Sequence, residues 1–107
     1  SSFRIKKMDM FLNRFTGSLP PKLRVLSSLE YVRLSRNALT GTIPEDLDTL
    51  TALKHLDLLS NKLRGSIPRT LPPNLEFLEF RDNQLTGNIP TDLGRLSNLQ
   101  YLDLSAN

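Results

Sequence analysis

Between Leu29 and Ser35 the apolar residues Val32 and Leu34 alternate with Tyr31, Arg33 and Ser35, the period-two signature of a strand with one buried face. Three more apolar places follow at Leu39, Ile43 and Leu47, and the pattern then starts again. The next copy fills it with Leu53, Leu56, Leu58, Leu63, Ile67 and Leu71. Aligned on the asparagine after each strand, Asn13, Asn37, Asn61, Asn83 and Asn107 are equivalent, with successive spacings of 24, 24, 22 and 24 residues. A period in this range marks stacked supersecondary units, none of which can bury its apolar face alone. Each copy is expected to add one short strand to a parallel sheet, about 4.8 Å from the next. The copies run over residues 5–28, 29–52, 53–74, 75–98 and 99–107 of a single domain spanning 1–107.

Residue chemistry at the turns supports the same units. A sharp turn after each strand leaves backbone groups unpaired, and an asparagine amide can satisfy them with two donors and an acceptor. Stacked copies align Asn13, Asn37, Asn61, Asn83 and Asn107 as a structural ladder. Gly17, Gly41, Gly65 and Gly87 stand where a side chain would obstruct the backbone. Proline follows each of the inward positions Leu19, Ile43, Ile67 and Ile89 and fixes a bend on the outer side. In the first copy Ile5, Met8 and Met10 take the strand's inward places, and a short helical turn is the most its outer half is expected to form. Glu45, Asp46 and Asp48 give the second copy's outer turn an acidic start suited to a helix N-terminus. The third copy is two residues short, and its Pro72 and Pro73 predict an extended connection there.

The full motif, L-x-x-L-x-L-x-x-N-x-L-x-G-x-I-P-x-x-L, is carried by Leu29, Val32, Leu34, Asn37, Leu39, Gly41, Ile43, Pro44 and Leu47. It resembles the leucine-rich repeat family, and its L-T-G-x-I-P half resembles the plant-type branch found in receptor-like ectodomains. The resemblance implies a β-rich α/β solenoid: a curved right-handed array with a parallel inner sheet of about five short strands and irregular or short helical outer turns. It also implies recognition of a protein or peptide on the concave face of a receptor-like or surface protein. A scaffold subunit buried among neighbours in a large assembly is the alternative. Neither copy at the ends carries a cap, so the segment reads as part of a longer array. Relatives outside the cell commonly bear cysteine caps and glycosylation acceptors. This chain has no cysteine and no N-x-S/T, which weighs against the extracellular or cell-surface location that the resemblance favours.

Composition narrows the chemistry. The net charge is +3, and no apolar run approaches the roughly 18–20 residues of a membrane span. Without cysteine there is no disulfide framework and no thiolate metal site. His55 is the only histidine, so no histidine pair can hold a metal or relay a proton. Phosphate loops, nucleophile elbows and dinucleotide fingerprints are absent from the sequence. Asp57, Glu79 and Asp103 recur one per copy, at spacings a paired-acid hydrolase could use. They are read as scaffold or ligand contacts, because the family's strand motif commonly carries an acid there. The expectation is a binding module with no enzymatic activity, no cofactor and no metal.

The outward strand positions supply the candidate binding face. One column is Lys7, Tyr31, His55, Phe77 and Tyr101; a second is Asp9, Arg33, Asp57, Glu79 and Asp103; a third is Phe11, Ser35, Leu59, Arg81 and Ser105. Aromatic rings beside charges suit protein or peptide recognition, with Tyr31, Arg33, His55, Asp57, Phe77, Glu79, Arg81, Tyr101 and Asp103 as the candidate contacts. Packing along the sheet as cross-strand neighbours is the other reading of these residues. Charge is uneven: residues 1–36 carry eight basic against two acidic residues, while the rest is net −3. Such a field steers acidic partners. Nucleic acid is disfavoured, because the basic residues are spread over several faces and the aromatic column continues into the acidic end.

Overall fold

The computed structural model describes residues 5–9, 16–18 and 27–107. Among them run nine three-residue strands: β1 (Lys7–Asp9), β2 (Thr16–Ser18), β3 (Tyr31–Arg33), β4 (Ala38–Thr40), β5 (His55–Asp57), β6 (Arg64–Ser66), β7 (Phe77–Glu79), β8 (Gln84–Thr86) and β9 (Tyr101–Asp103). The odd-numbered strands form one parallel sheet in the order β1-β3-β5-β7-β9, the five-stranded inner sheet that the alternation predicts. Its register follows the repeat, so that Lys7, Tyr31, His55, Phe77 and Tyr101 are successive neighbours, as are Asp9, Arg33, Asp57, Glu79 and Asp103.

Behind this sheet the apolar places stack into files, one residue from each repeat. Leu29, Leu53 and Leu75 make one file; Val32, Leu56 and Leu78 another; Leu34, Leu58 and Phe80 a third; and Leu39, Leu63 and Leu85 a fourth, all of them buried. A leucine removed from water contributes about 1.5–3 kcal/mol, and here the atoms that cover it belong largely to the repeats before and after.

On the outer side Glu45–Thr49 and Thr91–Arg95 are short 3₁₀ segments, the first kinked at Asp46, entered through Pro44 and Pro90. Glu45, Asp46 and Asp48 lie in the first of these, but no side chain caps it. The short third repeat has no helix between Ile67 and Leu75, and it buries Leu71 and Pro72. Asn74 Nδ2 ties that connection to the repeat before it, donating to the Thr51 carbonyl at 2.6 Å. The expected outer half of the first repeat, with Met10, Phe11, Asn13 and Leu19, lies outside the described residues.

Three features differ from the sequence expectation. Two small parallel sheets, β2-β4 and β6-β8, flank the inner one where the sequence suggested only a turn. Their strands pair across repeats with an offset, Ser18 with Thr40 and Ser66 with Thr86, and an isolated bridge joins Thr42 to Arg64. Ile89 is 65% exposed, whereas its equivalent Ile43 is 3% exposed beneath the following repeat. Ile5 is likewise 38% exposed at the first strand, where Met8 alone of the described inward residues packs against the core.

The flanking sheets depend on the glycines. Gly65 has φ +81°, and a Cβ there would stand 3.0 Å from Thr42 Cγ2. Gly65→Ala is therefore expected to destabilise by about 1–2 kcal/mol. Gly94→Ala, which meets nothing within 4 Å, should be neutral or slightly stabilising. Urea midpoints of the two variants check this, and equal midpoints would show that the left-handed backbone carries no cost.

Candidate binding face

The asparagine ladder fixes the edge of the inner sheet. Asn61 Nδ2 donates to the carbonyls of Leu34 at 3.0 Å and Leu58 at 3.1 Å, while its Oδ1 accepts from the Leu39 amide at 3.2 Å. Asn83 repeats this with Leu58 at 2.9 Å, Phe80 at 3.0 Å and the Leu63 amide at 3.1 Å. Asn107 does so with Phe80 at 2.9 Å, Leu104 at 3.0 Å and the Leu85 amide at 3.1 Å. Asn37 donates to the carbonyls of Leu34 and Ser35. Each of the three later amides thus closes the turn of its own repeat and of the one before.

On the solvent side of the sheet the rings stack face to face. Tyr31 and His55 have centroids 4.2 Å apart, His55 and Phe77 4.1 Å, and Phe77 and Tyr101 4.5 Å, with planes within 16° of parallel. The Lys7 ammonium sits 5.0 Å above the Tyr31 ring, a cation at the end of the stack. Since the faces are consumed by stacking, a ligand on the sheet meets ring edges and the polar atoms on them. A row just before the strands, Glu30, Lys54, Glu76 and Gln100, runs beside the rings, and the two rows line a shallow trough of about 450 Å³.

The acidic column behaves differently from the rings. Asp57 Oδ1 accepts from the Leu59 amide at 3.0 Å, Glu79 Oε1 from the Arg81 amide at 2.9 Å, and Asp103 Oδ1 from the Ser105 amide at 2.9 Å. Every carboxylate binds the amide two residues on and so closes the end of its own strand. Glu79 is buried, and its second oxygen accepts the Tyr101 hydroxyl at 2.9 Å. That bond is the main reason the Tyr101 phenol is pushed up to about 12. The Ser105 hydroxyl and amide hold the Asp103 carboxyl below its ordinary value. Arg33, the one cation in this column, lies 3.9 Å from both Asp9 and Asp57, with Nε donating to the Ser35 hydroxyl at 3.4 Å. Arg81 and Tyr101 are exposed, whereas Tyr31, His55 and Phe77 are half-buried. Sequence reasoning missed the row Glu30, Lys54, Glu76 and Gln100, although its place immediately before each ring was a usable signal. Among the described residues no group of histidine and acidic side chains could hold a metal ion.

Burial is the chief reason His55 titrates below the ordinary 6.5 for histidine; Arg33 acts in the same direction, and Asp57 and Asp9 oppose it. A histidine whose folded value lies below its unfolded one binds fewer protons when folded, so its contribution to stability is complete above the unfolded value and falls on acidification. The melting temperature is therefore expected to drop between pH 7.5 and 5 by more in the wild type than in His55→Phe. Equal drops would show that the stacked imidazole does not resist protonation.

A single-unit profile described as Leucine Rich Repeat matches residues 28–50 and 52–73, and a profile described as Leucine Rich repeats (2 copies) matches 73–107. The chain belongs to the leucine-rich repeat family. Solved structures agree with this leucine-rich repeat assignment and with its plant-type branch. The ectodomain of the receptor kinase SOBIR1 from Arabidopsis thaliana is 32% identical with a TM-score of 0.91, over 96% of this chain and 56% of that one. The BIR3–SERK2 complex from the same plant gives 38% identity and a TM-score of 0.89, over 94% and 55%. The Arabidopsis receptor kinase HAESA, in complex with the peptide hormone IDA and the co-receptor SERK1, gives 34% and 0.87, over 94% and 17%. The chain thus spans about half the length of the first two and a sixth of the third. No curated protein matches the sequence. Among the described residues no helix is long and apolar enough to cross a membrane.

Proposed function

We propose that this leucine-rich repeat array is a protein- or peptide-recognition module of a receptor-like protein exposed outside the cell, with the concave sheet as its binding face. The observation that carries the reading is the continuous ladder Tyr31–His55–Phe77–Tyr101, which places ring edges on the solvent side of four of the five strands, β3 to β9. Rigid aromatic groups lose little freedom on binding and dominate recognition surfaces. The same face carries Arg33, Asp57, Glu79, Arg81 and Asp103. Asp57, Glu79 and Asp103 each spend one oxygen on the end of their own strand, which supports a reading with Arg81 and the rings as the main contacts. Support also comes from HAESA, which is a receptor kinase in complex with a peptide hormone. The scaffold alternative draws no particular support from these relatives.

Selection of a displayed random-peptide library against the chain tests the proposal. Captured peptides should lose about tenfold or more in affinity on combined Tyr31→Ala and Phe77→Leu substitution, with circular dichroism unchanged. They should also protect amides of the inner sheet from hydrogen exchange. Peptides that bind the variant as well as the wild type, or an empty selection, would overturn it.

A further inference from the structure

The bends after β6 and β8 enclose a cleft of about 470 Å³ between the third and fourth repeats. It shares no residue with the ring ladder or the acidic column. In the second and fourth repeats the residue after the proline opens a 3₁₀ segment, whereas in the short third repeat Arg69 holds that place on a non-helical bend. Arg69 lines the cleft, exposed and with no side-chain hydrogen bond or ion pair among the described residues. The one other charged residue of the lining is Asp92, whose Oδ1 lies 3.6 Å from Arg95 Nε. Arg64 on β6 and Glu45, one repeat back, stand outside the lining. The charge left to a ligand is therefore positive. Beside it stand the Ser66 and Thr91 hydroxyls and the Asn88 amide, none of them bonded to another described residue. Ile67, Ile89 and Pro90 supply the apolar side, with Ile89 65% exposed.

We propose that this cleft binds an acidic sugar, a hexuronate ring whose carboxylate meets Arg69 and whose hydroxyls meet Ser66, Asn88, Thr91 and Asp92. Its size lies within the range of about 300–1,000 Å³ usual for ligand clefts. A pyranose offers both kinds of surface that the lining asks for: C–H groups on one face to lie on Ile67, Ile89 and Pro90, and hydroxyls round the rim. Serine, threonine and asparagine side chains both donate to such hydroxyls and accept from them, while a carboxylate such as Asp92 only accepts. Arginine holds a carboxylate through two parallel N–H bonds, which fixes the orientation of the ring. A fatty or aromatic acid would satisfy Arg69 and leave the other polar groups of the cleft against apolar surface, which costs affinity. A neutral sugar would leave Arg69 unused.

Amide NMR titration of the 107-residue chain with sodium glucuronate, glucose and sodium acetate tests this. Glucuronate should shift the amides of Ser66, Arg69, Asn88 and Thr91 saturably, with the millimolar affinity expected of one exposed ring, about tenfold tighter than glucose or acetate. The amides of Tyr31, His55, Phe77 and Tyr101 should stay in place. Arg69→Gln is expected to bring glucuronate down to the glucose level and to leave glucose within about twofold, since only the carboxylate contact is lost. Arg69 is exposed and without a partner among the described residues, so the rest of the variant's spectrum should be unchanged. Acetate as effective as glucuronate would reduce the site to a bare carboxylate contact and overturn the sugar. Saturable shifts confined to other surfaces, shifts that never saturate, or an Arg69→Gln variant that binds glucuronate like the wild type would overturn the cleft itself.

Discussion

Replacing Asn83 by alanine is expected to destabilise the protein by about 1–3 kcal/mol, whereas Lys62→Ala should change stability by less than about 0.5 kcal/mol. The difference follows from what each side chain satisfies. Asn83 is 8% exposed and serves the Leu58 and Phe80 carbonyls and the Leu63 amide. Its removal strands the Leu63 amide where water enters poorly and takes one of two amide donors from each of the Leu58 and Phe80 carbonyls, which Asn61 and Asn107 still serve; an unsatisfied buried group costs about 1–3 kcal/mol before relaxation. Asn83→Asp sharpens the test, because an aspartate keeps the acceptor for Leu63 and turns lone pairs toward two carbonyls, so it should be no better than alanine. Urea denaturation measures all three. Coincident midpoints for the alanine and lysine variants would show that the ladder adds nothing to stability.

Phe80→Ala is the second large effect, expected at about 3–5 kcal/mol, with Phe80→Leu much milder at about 1–1.5 kcal/mol. Phe80 is fully buried and occupies the file held by Leu34 and Leu58 in the earlier repeats. Alanine would leave a cavity that neighbouring repeats can close only by shifting along the stack. Leucine restores the residue type that the file uses elsewhere and leaves a small void. Thermal and urea melts should rank the three proteins in that order; an alanine variant as stable as the leucine one would mean that the repeats close over the gap without cost.

Much of this architecture was legible because it depends on spacing. The alternation of Val32 and Leu34 with Tyr31 and Arg33 places one strand per repeat, and equal spacing of identical residue types puts Tyr31, His55, Phe77 and Tyr101 in one column before any coordinates exist. What the sequence could not convey was direction. By position Asp57, Glu79 and Asp103 read as scaffold or as ligand contacts alike, and that each spends one oxygen on the amide two residues on is set by the turn geometry after the strand. The row Glu30, Lys54, Glu76 and Gln100 recurs with the same period one place before each ring, so its position beside the ladder was legible from spacing as well. The flanking pairs β2-β4 and β6-β8 were hidden because their two-residue offset between repeats is a product of the bend at glycine. Ile89 shares its motif position with Ile43 but not its burial, since cover comes from whatever stacks above it.

The backward reach of the asparagines gives the array a direction in time as well as in space. Asn61 completes the turn made by Leu34 and Leu39, Asn83 that of Leu58 and Leu63, and Asn107 that of Phe80 and Leu85, so every turn waits for an amide that the ribosome makes 20 to 27 residues later. At about 5–20 residues per second that wait is on the order of one to five seconds. A nascent chain therefore locks one unit behind its own growth, and in the newest unit the amide two residues after the asparagine still awaits its acceptor.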